Sequence, residues 1–530
     1  MADASPRLAR SAGIIGIATM TSRVLGLVRE QVLAFYFGAG DAMDAFNVAY
    51  RVPNLVRDLF AEGAMSAAFV PTFSQRLATD TRARAWHLAN SVVNAILLIT
   101  GLLVIAAIVF AEPLLRVFAG DYADVPGKFD LTVQLTRIMV PFLTLVALAA
   151  VLMGMLNSLG HFFMPALSPA MFNVGTIVCA LAFVPVAPRF GIPPIVVIAV
   201  GTLVGGLGQL LIQWPPLARE GYRYRPTLDT HDPGLRRILV LMIPGTIGLA
   251  ATQINVFVNT MLATDQGTGA VSWLNYAFRL MYLPIGLFGV SIATAVTPAM
   301  SRLAHDLDYA RMRSTLAHAL GLMMMLNVPA TLGLVVLAYP IISLIFEHGN
   351  FGPADTAATA EALRFYAIGL VGYSVVRIVS PIFYALGRSR IPVTVSVASV
   401  LVNVVLNLAL VRFMGYRGLA LGTSLAALIN AAIQLLWLRR EIGGIEGRRV
   451  AVSFAKVVVA SVLMAAAAWG ADVWITAFLP GTELTRRVTR VGITIGVAVA
   501  VLAASATVLR VTEFEDARDL VIGRIRRMWR

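Results

Sequence analysis

Residues 42–51 read AMDAFNVAYR and residues 270–279 read AVSWLNYAFR, with Ala, Asn, Ala and Arg in register at an offset of 228. Each copy is followed by Pro-x-x-Ser, at Pro71/Ser74 and Pro298/Ser301. Leu159-Gly160 with Pro165 matches Leu386-Gly387 with Pro392 at an offset of 227, and Gly201-Thr202 weakly matches Gly422-Thr423 at 221. Apolar composition alone would not repeat Asn-x-Ala-aromatic-Arg at matching offsets. The chain reads as an internal duplication.

The medium in which the copies fold follows from composition. Of 530 residues, 58% are hydrophobic and 13% charged, with a mean hydropathy of +0.80. Ordinary soluble domains run at roughly 45–50% apolar and about 25% charged, so a soluble globular protein is excluded. The excess comes in blocks of around 20 residues, enough for a helix to cross a bilayer core. Such segments fall at 11–38, 41–75, 88–112, 130–158, 163–186, 191–217, 234–262, 268–301, 313–340, 357–387, 390–411, 415–438, 450–478 and 487–510, which predicts fourteen transmembrane helices. The second and eighth carry the repeat, and an even separation of six makes the copies parallel repeats. The expected fold is an all-α polytopic membrane protein. Two pseudo-symmetric six-helix lobes, 1–230 and 231–440, would flank a central cavity, followed by two C-terminal helices and a basic tail in 441–530. Arg7 and Arg10 precede the first segment, which continues without a small-residue cleavage site and reads as an uncleaved span.

The formal charge of +14 is sided. The N-terminal tail and alternate connections hold 25 Lys and Arg, and the opposite connections hold eight, among them Lys128. The positive-inside rule then puts both termini in the cytoplasm. The charge is topology, so nucleic-acid binding is not implied. The single cysteine, Cys179, excludes a disulfide framework.

Nine basic residues fall inside the predicted spans. Arg137, Arg364 and Lys456 lie near span ends, where long side chains reach the interface, and Arg377 fits either class. Arg23, Arg29, Arg51, Arg57 and Arg279 are deeper. At roughly 2.5–3.5 kcal/mol each on insertion scales, they would together cost on the order of 12–17 kcal/mol if exposed to lipid. Asp44, Asn47, Arg51, Asn54, Asp58 and Glu62 recur at steps of three or four, forming one polar face of the second helix. That face should line a cavity in which arginines outnumber acids. Guanidinium suits phosphate oxygens, so the expected ligand is an anionic, phosphorylated head group of a lipid. Phosphate-loop, His-Glu-x-x-His and Gly-x-Ser-x-Gly motifs are absent from the sequence, and no catalytic site is visible in it.

TSRVLGLVRE at 21–30, FGAGDAMDAFNVAYRVPNLVRDLFAEGAMSAAFVP at 37–71, GAVSWLNYAFRLMYLPIGLFGV at 269–290 and GRSRIPV at 387–393 resemble the MurJ (MviN) family. These are lipid II flippases of the multidrug/oligosaccharidyl-lipid/polysaccharide exporter superfamily, and the likeness spans essentially the whole chain. It implies fourteen helices that move undecaprenyl-pyrophosphate-linked disaccharide-pentapeptide from the inner to the outer leaflet by alternating access. It places substrate contacts at Arg23, Arg29, Asp44, Arg51, Arg57 and Arg279, to which Asn54 and Glu62 on the polar face and Ser272 are added as substrate-binding candidates. Phe278 and Tyr282 stand where some members carry acids. The final helix pair resembles one that helps form a groove for the polyprenyl tail. Sodium-binding members suggest an ion site at Asn403, Asn407 and Thr423 with Asn255, while membrane potential is the other candidate driving force. Expected partners are lipid II and membrane lipids, with cell-wall synthesis machinery a further candidate.

Other readings predict other residues. An exporter of drugs should carry acids at depth, a glycosyltransferase needs catalytic acids and a large outer loop, and a non-transporting scaffold leaves five deep arginines without a purpose. An exporter of another lipid-linked oligosaccharide is the nearest alternative.

Overall fold

The computed structural model describes residues 4–57, 65–478, 481, 483–516 and 518, with the side chains of 4–15, 17, 56, 66–67 and 243–252 outside that description. Its first ten helices are α1 (Ala4–Phe37), α2 (Asp41–Arg57), α3 (Met65–Thr79), α4 (Arg82–Val109), α5 (Ala111–Ala119), α6 (Lys128–Met139), α7 (Phe142–Ser158), α8 (Phe163–Phe183), α9 (Pro194–Arg219) and α10 (Pro233–Thr264). There follow α11 (Ala270–Pro284), α12 (Val290–His305), α13 (Tyr309–Val336), α14 (Ala338–Phe346), α15 (Pro353–Ile368), α16 (Leu370–Ala385), α17 (Arg390–Met414), α18 (Tyr416–Glu441), α19 (Gly447–Phe478) and α20 (Leu484–Val508). No strand occurs among the described residues. In lipid the backbone must satisfy its own hydrogen bonds, which a helix does within one segment.

Ten segments among the described residues are long and apolar enough to cross a membrane, or eleven when α15 and α16, bent by 40°, are one span. Two of the ten join consecutive helices: α6 runs into α7 at Pro141, and α11 into α12 through a π-helical stretch, Ile285–Gly289, after Pro284. Proline removes a backbone donor and crowds the preceding turn, which explains why helices break there.

The chain divides into two compact units, 1–272 with 348–351, and 273–347 with 352–530. In the first, Phe69, Phe73, Leu88, Met155 and Ile238 form a core joining α3, α4, α7 and α10. α8 and α9 cross where Gly175 meets Gly205, a Cβ on Gly175 coming within 2.6 Å of the Gly205 backbone. Small residues permit such close crossings in lipid. The connection 220–232 is laid along α4. Asn90 accepts from the Tyr222 hydroxyl at 2.9 Å, and Arg76 donates to Asp232 at 2.6 Å. His161 and Arg82 bond the Glu220 carboxylate, and both hold it below the usual carboxylate range.

In the second unit, Met300, Met312, Leu316, Ile378, Phe383 and Leu438 make the main core. α19 and α20 pack in a separate cluster, with Met464, Ala468 and Ala498 against Leu337. Arg487 donates to Glu347 at 3.0 Å, and Arg490 to Asp472 at 2.6 Å. These pairs fix the start of α20.

Candidate anion-binding site

Four of the five deep arginines lie in the first unit, and Arg279 lies in the second. α1 carries Ser22, Gly26 and Arg29 at helical spacing, along the side that meets α8. Asn173 of α8 donates to the Ser22 carbonyl at 3.1 Å and passes Gly26, where a Cβ would be 3.7 Å from its amide. That contact delivers Arg29 to a buried position, 7% exposed, over Phe172 with Cζ 4.9 Å from the ring centroid. Phe142 and Tyr50 back the ring at 5.1 and 6.0 Å.

The Arg29 guanidinium has five N–H donors. Among the described residues it makes one hydrogen bond, from Nη2 to Glu30 at 2.5 Å, while its buried Nε meets no acceptor. A buried charged group with unmatched donors is costly, and the cost is removed by an acceptor-rich anion. Arg23, one and a half turns earlier, is part-exposed and makes no hydrogen bond or ion pair among the described residues. Arg51, Asn54 and Arg57 on α2 are part-exposed, and each is engaged in at least one polar or ring contact. Asp58 and Glu62 lie outside the described residues.

Asp44 and Ser272 belong to a different constellation. Asp44 is wholly buried, and its oxygens accept from Ser272 N at 3.0 Å, Ser272 Oγ at 2.7 Å, Gly269 N at 2.7 Å and Lys128 Nζ at 3.2 Å. Asn47 donates to the Ser272 hydroxyl at 3.1 Å. Asp44 and Ser272 are equivalent positions in the two copies of the repeat, 228 residues apart. Spacing suggests that Asp44 offsets Arg51, whereas its four bonds here are to Lys128 and to the residues that open α11.

Lys128 is the residue that sequence reasoning misplaced, counted among loop charges yet only 3% exposed. It is shared between Asp44 and Asp41, the latter at 2.8 Å, and lies 4.1 Å from the centroid of Tyr122. Gly127, in the left-handed region at φ 75°, turns it inward. Two acids at the start of α2, without a basic residue beside them in sequence, were the available signal.

In the second unit, Arg279 stands exposed on α11 and is itself engaged in a contact. One turn on, Tyr282 accepts from Arg377 Nη2 at 2.7 Å, and Phe278 lies between the rings of Tyr282 and Tyr366, 5.9 and 5.4 Å away. The positions where acids were sought are thus an aromatic cluster holding a second arginine. Asn403 donates to Thr423 at 3.3 Å, and Asn407 to Asn403 at 3.2 Å, in a buried amide cluster. Asn255 belongs to the first unit, its buried Oδ1 lacking a partner among the described residues. No group of three His, Cys, Asp or Glu that could hold a metal occurs among the described residues. Near span ends, Arg137 caps the Ile108 carbonyl at 3.3 Å and Lys456 the Arg510 carbonyl at 2.9 Å.

The family model described as "Lipid II flippase MurJ" matches residues 33–489. The lipid II flippase MurJ of Burkholderia cenocepacia is 35% identical over 433 residues, covering 80% of this chain and 82% of that protein. A solved structure, "Lipid II flippase MurJ, inward closed conformation", superposes with a TM-score of 0.76 at 27% identity, covering 93% of this chain and 99% of that one. An inward-facing multidrug resistance MATE transporter of the MOP superfamily shares the fold, with a TM-score of 0.67 at 17% identity, covering 82% and 99%.

Proposed function

We infer the working of this site from one premise: the chain belongs to the lipid II flippase MurJ family. It is a lipid II flippase, a transporter and not an enzyme, and a multi-pass protein of the bacterial inner membrane. In our reading, Arg23, Arg29, Arg51, Arg57 and Arg279 grip the substrate diphosphate, with Asn54 and, from the sequence alone, Glu62 as further candidate contacts, and Asp44 with Ser272 bracing the start of α2. The observation that carries this is Arg29, a buried guanidinium with donors left over.

We read fourteen spans. The eleven apolar ones are joined in this reading by α1, α2 with α3, and α10. The 25-to-eight asymmetry of basic residues places both termini in the cytoplasm. Lobes 1–230 and 231–440 then alternate access to the diphosphate, with 441–530 carrying the last two spans. Membrane potential drives export in this scheme. Moving a head group of about two negative charges outward gains roughly 4.6 kcal/mol per 100 mV. The Asn403–Asn407–Thr423 cluster offers neutral oxygens only, which hold a hard cation weakly, so we read it as packing between α17 and α18.

The test is leaflet-specific. In cells depleted of the native flippase, Arg29→Lys and Arg279→Lys should insert normally yet leave lipid II in the inner leaflet, because an ammonium cannot reproduce the guanidinium fork. Wild-type flipping by both lysine variants would refute the arginine clamp.

A further inference from the structure

The Arg29 guanidinium is restrained from two directions. Glu30 holds one Nη by a hydrogen bond of 2.5 Å, and the Phe172 ring lies beneath Cζ at 4.9 Å. Phe172 is itself fixed, buried against Phe142 and Tyr50. Its neighbour Asn173 ties α8 to the Ser22 carbonyl of α1. The helix that supplies the ring therefore also sets the height of the helix that supplies the arginine. An aromatic face attracts a cation, most strongly where water is excluded. It also closes that side of the guanidinium to other ligands. With the ring in place the guanidinium is held over Phe172, and its buried Nε has no acceptor among the described residues.

We propose that Phe172 is a positioning residue for substrate capture: its ring orients the Arg29 guanidinium and keeps its unbonded N–H groups turned toward the diphosphate. This rests on the reading that Arg29 binds the diphosphate. It assigns a role in recognition to an aromatic residue that acts through Arg29.

The experiment grades the ring's electrostatics while preserving its shape. Full-length protein is made with 4-fluoro-, 3,5-difluoro- or 3,4,5-trifluorophenylalanine at position 172, and lipid II affinity and thermal unfolding are measured on each. The dissociation constant should rise stepwise with fluorination, reaching about 3- to 30-fold for the trifluoro ring, while the unfolding midpoint stays constant. In an Arg29→Gln background the same series should have no effect. A flat series in the parent, or one that persists in the Arg29→Gln background, overturns the role of Phe172. Arg29→Gln separates the two claims. If it loses lipid II while the fluorinated series is flat, the arginine clamp stands and Phe172 falls. If it binds lipid II like the parent, the clamp falls as well.

Discussion

Replacing Lys128 by Met keeps the apolar stem and removes the cation that Asp41 and Asp44 share. The two acids would respond differently. The Asp41 side chain is 45% exposed and can be hydrated, whereas that of Asp44 is fully buried. Breaking a buried ion pair by removing one partner costs about 3–5 kcal/mol. Asp44 retains three donors, from Gly269 and Ser272, so the lower end of that range, about 3 kcal/mol, is expected. Cys179 supplies the assay: it is the one cysteine in the sequence and is buried, so a fluorogenic maleimide reports unfolding during a thermal ramp. Lys128→Met should lower the midpoint by several degrees. Adding Asp44→Asn removes the stranded charge and should recover part of the loss, although Asp44→Asn alone is also destabilising. An unchanged midpoint in Lys128→Met, or a double variant as unstable as the sum of the singles, would show that the pair is not the clamp described.

Gly175→Val should cost about 1–3 kcal/mol by forcing α8 from α9, with Gly101→Ala, whose Cβ meets nothing within 4 Å, as a neutral control in the same thermal ramp. Glu220 gives a pH signature. Its carboxyl is held below the ordinary value of 4.5 by hydrogen bonds from His161 and then Arg82, so the unfolded chain takes up this proton more readily than the folded one. The stabilisation is complete above 4.5 and is lost as pH falls through the lower folded value. The midpoint of Glu220→Gln should therefore lie below that of the parent near neutral pH and converge with it in acid; a gap of constant size across the titration would contradict the assignment.

The apolar spans were legible because lipid imposes a length and a polarity on every helix, and those constraints are local in sequence. The polar face of α2 was legible for the same reason, since Asp44, Asn47, Arg51 and Asn54 obey helical spacing. At one point, residues at matching positions of the two similar stretches, Asp44 and Ser272, bond each other. Partners across elements were not legible. Spacing suggests Asp44 for Arg51, but 84 residues separate Asp44 from Lys128, and a left-handed glycine decides that Lys128 turns inward. Phe172 was equally silent, one apolar residue among many until α8 lies against α1.

Burial alone does not separate a functional cation from a structural one; the count of its bonds does. Lys128 and Arg29 are 3% and 7% exposed, and both sit on an aromatic ring. The lysine has two carboxylates for its three donors and nothing to gain from a ligand. Among the described residues the arginine has one carboxylate oxygen for five donors, with its Nε left bare. In a low-dielectric interior such a deficit persists only if another component of the system supplies the missing acceptors. A diphosphate has them in excess. The same reasoning predicts that a second carboxylate placed within reach of Arg29, as by Phe172→Glu, should lower stability, because Phe172 is buried, and should fill the deficit internally and abolish lipid II binding by the protein that folds. Unimpaired lipid II binding by a folded Phe172→Glu variant would mean that the spare donors of Arg29 are not what the substrate uses.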